Sequence, residues 1–292
     1  MSGAVQHRPP WLKVRLRTDE SFRHVRSMVG ELRLNTVCVE ARCPNIYECW
    51  NAGTATFMIL GDVCTRRCGF CNVTSGRPAP GVDGQEPEHV AEAVARLGLV
   101  HAVITSVDRD DLPDGGAAHF AEVVRAVRAR VPGCAVEVLT PDFKKKPGAL
   151  ATVLRAGPEV FAHNVETPPR LYRTVRPGSS YRGSLAVLQV ASQHRDACAP
   201  ALRVKSNVML GVGESDAEVL DVLRDLRAVG VQVVTLGQYL QPTREHLPVA
   251  RFVPPQTFDA LRRSAMEMGF LHVEAGPLVR SSYHAERHRP PG

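Results

Sequence analysis

The chain has 292 residues, 44% of them hydrophobic and 23% charged, with a formal net charge of +6 and a pI near 9.0. This is enough to bury the core of one large α/β domain or two small ones. No run of 18 apolar residues is present to span a membrane, and aromatics are only 5% with no basic run interleaved with them, so membrane and nucleic-acid partners are not expected. The positive balance reads either as a solvated basic surface or as a face for a negatively charged partner.

Residues 1–53 stand outside the pattern that follows. Their start, "MSGAVQHRPPWLKVRL", has no apolar stretch ending in a small-residue cleavage site, so a secretory signal is not expected; its arginines leave a mitochondrial transit peptide as the alternative. Later in this extension "CVEARCPNIYEC" places Cys38, Cys43 and Cys49 at C-x4-C-x5-C. From Thr54 onward strand and helix patterns alternate. Strands are expected at 54–61, 101–107, 135–141, 159–167, 201–210, 231–240 and 270–277, and helices at 86–98, 117–131, 148–156, 184–197, 215–230 and 255–269. In the helix from 215, Ser215 and Glu218 have capping-box spacing, and Val219, Leu220, Leu223, Leu226 and Val229 line one face. Near-continuous apolar strands alternating with helices predict a parallel sheet covered by helices. About six βα units are too few for a closed eight-stranded barrel. The expectation is an α/β fold: a partial (β/α)6-type parallel barrel over 54–276, with an N-terminal extension (1–53) and a C-terminal tail (277–292).

Six of the eight cysteines fall in two tight triplets. The second, in "GDVCTRRCGFCNVTSG", is Cys64, Cys68 and Cys71 at C-x3-C-x2-C, directly after the first strand. Without an export signal, such clustering reads as metal or iron–sulfur ligation in a reducing compartment, here the cytoplasm, rather than as a disulfide framework. Three thiolates are one short of a closed tetrahedral site, and an open fourth position is what permits chemistry at a metal. A zinc site is the alternative, although zinc usually takes a C-x2-C pair with a second pair elsewhere. Cys134 and Cys198 belong to neither triplet and read as incidental thiols, and His101, His163, His272 and His284 as structural contacts.

C-x3-C-x2-C in this βα context resembles the radical S-adenosylmethionine (SAM) superfamily. The resemblance implies a [4Fe–4S] cluster on Cys64, Cys68 and Cys71 whose open iron chelates SAM and, when reduced, cleaves it to a 5′-deoxyadenosyl radical. It places Phe70 beside the adenine. The family's glycine-rich element after the second strand falls on "TSVDRDDLPDGG", where this chain has Asp108, Arg109, Asp110 and Asp111 instead of a plain Gly-Gly-Glu. Asp108 is then a candidate for the SAM amine, with a solvated acidic loop as the bland alternative. Asn164, Glu166, Lys205 and Ser206, on strands whose ends would face the same mouth, are candidates for ribose and carboxylate contacts.

"ARCPNIYECW", "GQYLQPT" and "GPLVRSSYHA" together closely resemble the lipoyl synthase family, from about Leu34 to Ala285. That resemblance implies a second, auxiliary [4Fe–4S] cluster on Cys38, Cys43 and Cys49, with Ser281 of the Arg-Ser-Ser-Tyr motif as its fourth ligand and Ser282 as the fallback. It implies insertion of two sulfur atoms at C6 and C8 of an octanoyl group carried on a lysine of a lipoyl domain. Expected partners are the glycine cleavage H protein or a 2-oxoacid dehydrogenase E2, reduced ferredoxin or flavodoxin, and an iron–sulfur cluster repair protein. The most basic run, "PDFKKKPG", is either a docking element or a solvated loop. Another radical SAM sulfur-inserting enzyme, or a non-enzymatic iron–sulfur carrier, are the competing readings.

Overall fold

The computed structural model describes residues 8–13, 20–32, 34–40, 43, 45–51 and 55–290. Thr54, the expected start of the first strand, lies outside them. That strand (β1) runs Thr56–Ile59. It is shorter than its apolar run because Leu60 and Gly61 both adopt positive φ, 71° and 93°, which turns the chain out of the sheet toward Cys64. The strands that follow are His101–Ser106 (β2), Ala135–Leu139 (β3), Val160–Ala162 (β4), Arg203–Leu210 (β5), Val233–Gln238 (β6) and His272–Gly276 (β7). Each pairs in parallel with the next. β1 and β7 do not pair, so the barrel is open on one side.

Between the strands lie Glu86–Arg96 (α1), Ala117–Arg130 (α2), Ala149–Arg155 (α3), Tyr181–Cys198 (α4), Asp216–Ala228 (α5) and Pro255–Glu267 (α6). Six βα units and a last strand are what the periodicity predicts. The capping box at Ser215 and Glu218 is present, and Val219, Leu223 and Leu226 are buried. Alternate strand side chains, among them Phe57, Ile104, Val138, Phe161 and Val234, are fully buried in the apolar core.

The extension is not a separate body. Asn35–Thr36 adds an antiparallel strand to the outer edge of β1. The tail after β7 also turns back over the open side of the barrel. Asn45 Nδ2 donates to Leu278 O at 2.6 Å, Tyr283 OH donates to Glu48 Oε1 at 2.9 Å, and the Thr56 and Ser282 hydroxyls lie 2.9 Å apart. The chain ends therefore meet, with β1 and β6 beneath them.

Gly237 on β6 makes this crossing possible. A Cβ there would stand 2.1 Å from the carbonyl oxygen of Val279, a backbone atom that cannot step aside without moving the tail. Gly237→Ala should therefore cost about 1–3 kcal/mol, as overpacking does. It should also open the segment after Gly276 to protease while the helices stay resistant. Thermal denaturation and mapping of the first cleavage sites check both, and an unchanged cleavage pattern would show that the tail is not seated on this glycine.

Candidate active site: one cavity reaching two cysteine triplets

A cavity of about 660 Å³ runs from the C-terminal ends of the strands down to Thr56 at the start of β1. Its wall includes Cys64, Cys68 and Cys71 at one end and Cys43 with Ser281 and Ser282 at the other. A pocket of about 20 Å³, lined by Cys38, Cys43, Cys49, Arg280 and Ser282, adjoins it. Both cysteine triplets thus open on one interior space.

The loop carrying Cys64, Cys68 and Cys71 is fixed from several sides. Gly69 N donates to Val175 O at 2.9 Å, and Leu247 N donates to Gly69 O at 3.1 Å. Any side chain at Gly69 would meet Leu247 and the Thr174 carbonyl at 2.9 Å. His246 Nε2 reaches Cys71 O at 2.9 Å and is oriented by Thr243, 2.8 Å from Nδ1. The central clamp is Arg66, whose side chain is 2% exposed. Its guanidinium meets Asp110 at 2.8 Å, Asp142 at 2.6 Å and Asp108 at 3.2 Å, and donates to Ser179 at 3.0 Å. One planar fork thus ties the cysteine loop to the loops after β2 and β3, a geometry that lysine cannot reproduce. The backbone N–H groups of Arg66 and Asp108 point at Cys64 Sγ, at 3.4 and 3.3 Å, which suits a thiolate.

All eight cysteines are free thiols. Burial pushes Cys38 and Cys71 up to about 11 and Cys68 up to about 12, and it raises Cys43, Cys49 and Cys64 as well; at Cys49 the neighbouring Cys38 and Cys43 add to it. Left alone, these thiols keep their protons at neutral pH. Two groups of three clustered thiols become thiolates only where metal replaces the protons. The all-sulfur donor set suits iron–sulfur clusters.

Asp108, Asn164, Glu166 and Phe70 line the cavity, as expected from the sequence. Asn164 Oδ1 in that wall has no hydrogen-bond partner among the described residues, and Asp108 Oδ1 faces only the Arg66 guanidinium, with Nε at 3.2 Å. Burial raises the Asp108 carboxyl, with Arg66 opposing. Glu166 is held at φ 66°, in the left-handed region, with one oxygen accepting from Asn164 and the other from Asn207. Strain of this kind collects at binding sites. Lys205 and Ser206 do not line the cavity. Lys205 is buried deeper in the barrel, 2.6 Å from Glu137, and Ser206 donates to the His163 carbonyl. Strand parity reveals which way a side chain points but not its depth.

Ser281 and Ser282 are placed differently. Ser282 lines both the larger cavity and the small pocket of Cys38, Cys43 and Cys49 and shares a hydrogen bond with Thr56; Ser281 lines the larger cavity alone, and its hydroxyl has no partner among the described residues. Three arginines went unremarked in the sequence. Arg66 had a legible signal, a cation inside the cysteine loop facing several scattered aspartates. Arg176 donates to the Asn164 carbonyl and is buried near Cys68 and Glu166. Arg280 lines both spaces, its guanidinium lowered by burial and supported by Cys43, with no carboxylate in salt-bridge range among the described residues. The basic run at 144–146 is not free for docking along its length: Lys144 binds Asp110 and Lys146 binds the carbonyls of Asp110 and Leu112.

Arg66→Met should strand three carboxylates beside the cysteine loop and cost about 3–5 kcal/mol, the range for breaking a buried pair. Arg66 holds Asp110 down to about 2 and also lowers Asp142, so the stability they contribute is present above their unfolded values and lost as pH falls toward 2. Asp108, raised by burial, works in the opposite sense. The wild-type advantage in urea denaturation of the metal-free proteins should be full at pH 7 and shrink below about pH 4. An advantage that is constant with pH would rule out the clamp.

Comparison with known proteins agrees with this architecture. Residues 58–226 match the model of the radical SAM superfamily. The fold resembles that of methylornithine synthase, with a TM-score of 0.51 at 16% identity over 89% of this chain and 79% of that one. It also resembles SuiB of Streptococcus suis bound to S-adenosylmethionine, with a TM-score of 0.53 at 11% identity over 94% of this chain and 56% of that one. Sequence similarity is far closer to the lipoyl synthases of Rubrobacter xylanophilus, 56% identical over 95% of this chain and 85% of that protein, and Thermus thermophilus, 54% identical over 97% and 86%. The chain belongs to the lipoyl synthase family of the radical SAM superfamily.

Proposed function

We propose that the protein is a lipoyl synthase, inserting two sulfur atoms at C6 and C8 of an octanoyl group carried on a lipoyl domain. The observation that carries this reading is the single cavity reaching both cysteine triplets, which lets one acyl chain pass between a site that generates radicals and a site that holds sulfur. When bound, the [4Fe–4S] clusters and SAM supply one-electron cleavage of SAM and the sulfur atoms themselves.

The chain's own residues bind, orient and exclude. Cys64, Cys68 and Cys71 hold the first cluster, and Cys38, Cys43 and Cys49 the second. Asp108, whose Oδ1 is shared with Arg66, and Asn164 Oδ1, without a partner among the described residues, suit the ammonium and hydroxyl donors of SAM. Arg176 supplies positive charge for its carboxylate, and Phe70 offers a face to its adenine. An octanoyl chain has no polar handle along its methylenes, so its carbons must be placed by shape. Met58, Val107, Leu139, Met209 and Leu240 give the cavity that apolar wall. Arg280 balances the negative charge of the auxiliary site. Ser281, whose hydroxyl is free, is the fourth auxiliary ligand; a hard oxygen among soft thiolates holds iron weakly, which suits a site that must surrender sulfur. Octanoylated H protein or E2 domains, a reduced ferredoxin or flavodoxin and a cluster repair protein are the partners this chemistry requires. Among the described residues no helix is long and apolar enough to cross a membrane, and the reading places the protein in the cytoplasm.

Replacing Cys64, Cys68 or Cys71 with Ala should reduce 5′-deoxyadenosine formation to background in anaerobic assays with SAM and dithionite. Retained cleavage in any of the three would remove the first cluster from these residues. Cys43→Ala should keep a good part of that cleavage yet form no sulfur-containing product from an octanoyl-lysine peptide, read by mass spectrometry as the absence of two added sulfurs. Ser281→Ala should likewise spare cleavage and cut product severely, whereas Ser282→Ala should lose less. The reverse order would move the ligand to Ser282.

A further inference from the structure

The floor of the barrel holds a group of charged side chains that the chemistry above does not use. Glu137 on β3 and Lys205 on β5 point inward, each side chain 1% exposed, with Nζ 2.6 Å from Oε1. His101 on β2 places Nε2 3.3 Å from the other Glu137 oxygen. The fourth member comes from the tail. His288 is buried, its Nδ1 lies 2.9 Å from Lys205 Nζ, and its ring packs 4.7 Å from that of His272 on β7.

Branched apolar side chains ordinarily fill a barrel at this depth. A buried ammonium–carboxylate pair recovers its desolvation cost only when its remaining protons also find acceptors. An ammonium has three protons and no lone pair. Glu137 accepts one and His288 Nδ1 another, so the tail supplies a second acceptor to a charge that belongs to the barrel strands. Accepting there leaves a neutral His288 with its proton on Nε2, a buried atom with no hydrogen-bond partner among the described residues. His272, Glu274 and His288 have donor atoms within 4.8 Å of one another, but the protonated Nε2 makes His288 a poor metal ligand there.

Ser281 lies seven positions before this anchor. Between them His284, at φ 51°, reverses the chain, and the short helix Ala285–Arg287 packs against β2. The other polar tail contacts run to the extension or the start of β1, through Asn45, Glu48 and Thr56, and from His284 Nδ1 to the half-buried Glu274 on β7 at 3.4 Å. Among the described residues, His288 is the tail's bond to a buried charge in the body of the barrel.

We infer that His288 is a positioning residue for sulfur donation: by completing the Lys205–Glu137–His101 cluster it holds the tail so that the Ser281 hydroxyl stays at the Cys38–Cys43–Cys49 site. This rests on the reading of Ser281 as auxiliary ligand. Asn at 288 keeps an acceptor near the Nδ1 position, whereas Leu fills similar space with none.

The test compares H288L, H288N and S281A in the full chain after anaerobic reconstitution of both clusters. The readouts are iron per chain, the three-iron EPR signal after mild oxidation, 5′-deoxyadenosine yield and lipoyl product. H288L should keep 5′-deoxyadenosine formation, lose iron from the auxiliary cluster with a three-iron EPR signal, and drop product about tenfold or more, the scale of one lost charge-assisted hydrogen bond. H288N should recover most of the auxiliary iron and product. Equal behaviour of H288L and H288N, in either direction, would overturn the proposal, because acceptor chemistry would then not matter. If S281A keeps its fourth auxiliary iron, the ligand reading fails and this inference with it. If S281A loses that iron while H288L does not, the positioning role alone is refuted.

Discussion

The absent hydrogen bonds between β1 and β7 govern the rest of the structure. A parallel sheet of this length curls without closing, and the gap exposes strand edges and barrel interior that must be covered. Both ends of the chain do the covering. The extension pairs with the free edge of β1, and the tail crosses from β7 over Gly237 toward Thr56. Because the same two segments carry Cys38, Cys43, Cys49 and the Arg-Ser-Ser-Tyr sequence, closing the barrel and assembling the auxiliary site are one event. On the proposed reading, a site that is partly dismantled in use is thereby built from the two segments outside the rigid βα body.

Much of this architecture was legible in the sequence because it depends on period and spacing. Alternating apolar strands and amphipathic helices set six βα units, and the Ser215–Glu218 capping box was readable from its spacing. The cysteine triplets were equally plain, since ligand spacing is a local property. Depth was not. Lys205 has the strand parity of Asn207 and Met209, which line the cavity, yet it sits at the floor beside Glu137 and His288. Ser206 points the other way, into the His163 carbonyl. Nor was the use of a motif legible from its presence. In "GQYLQPT", Gly237 makes room for the tail, Gln238 bonds the carbonyls of Leu210, Tyr239 and Arg251, and Thr243 orients His246 against the cysteine loop. Apart from the bonds of Gln238 to Tyr239 and of Thr243 to His246, these contacts join residues too far apart for any local sequence window.

Net charge proved a poor guide to where charge acts. The chain is basic overall, but the wall beside the first triplet is acidic, and its cations are already engaged. Arg66 is divided among three aspartates, and Lys144 and Lys146 are tied to the Asp110 loop. The acidic residues at 108–111 are therefore neither a solvated loop nor a simple amine-binding set. Asp110 and Asp142 hold the clamp, Asp111 pairs with Arg109, and Asp108 faces Arg66 at the longer distance of 3.2 Å.

Arg280 differs from those arginines in having no carboxylate partner among the described residues, although it is desolvated beside Cys43. A half-buried guanidinium without an anion is costly unless the missing charge arrives with a cofactor. On the proposed ligand set, three thiolates and an alkoxide around a cluster core would supply it. The cation and the cysteines are thus each unfavourable alone and stabilising together, which couples loading of the auxiliary site to seating of the tail that carries Arg280. Arg280 directly precedes Ser281, so the residue that gains most from a filled site is joined to the ligand proposed to hold it closed.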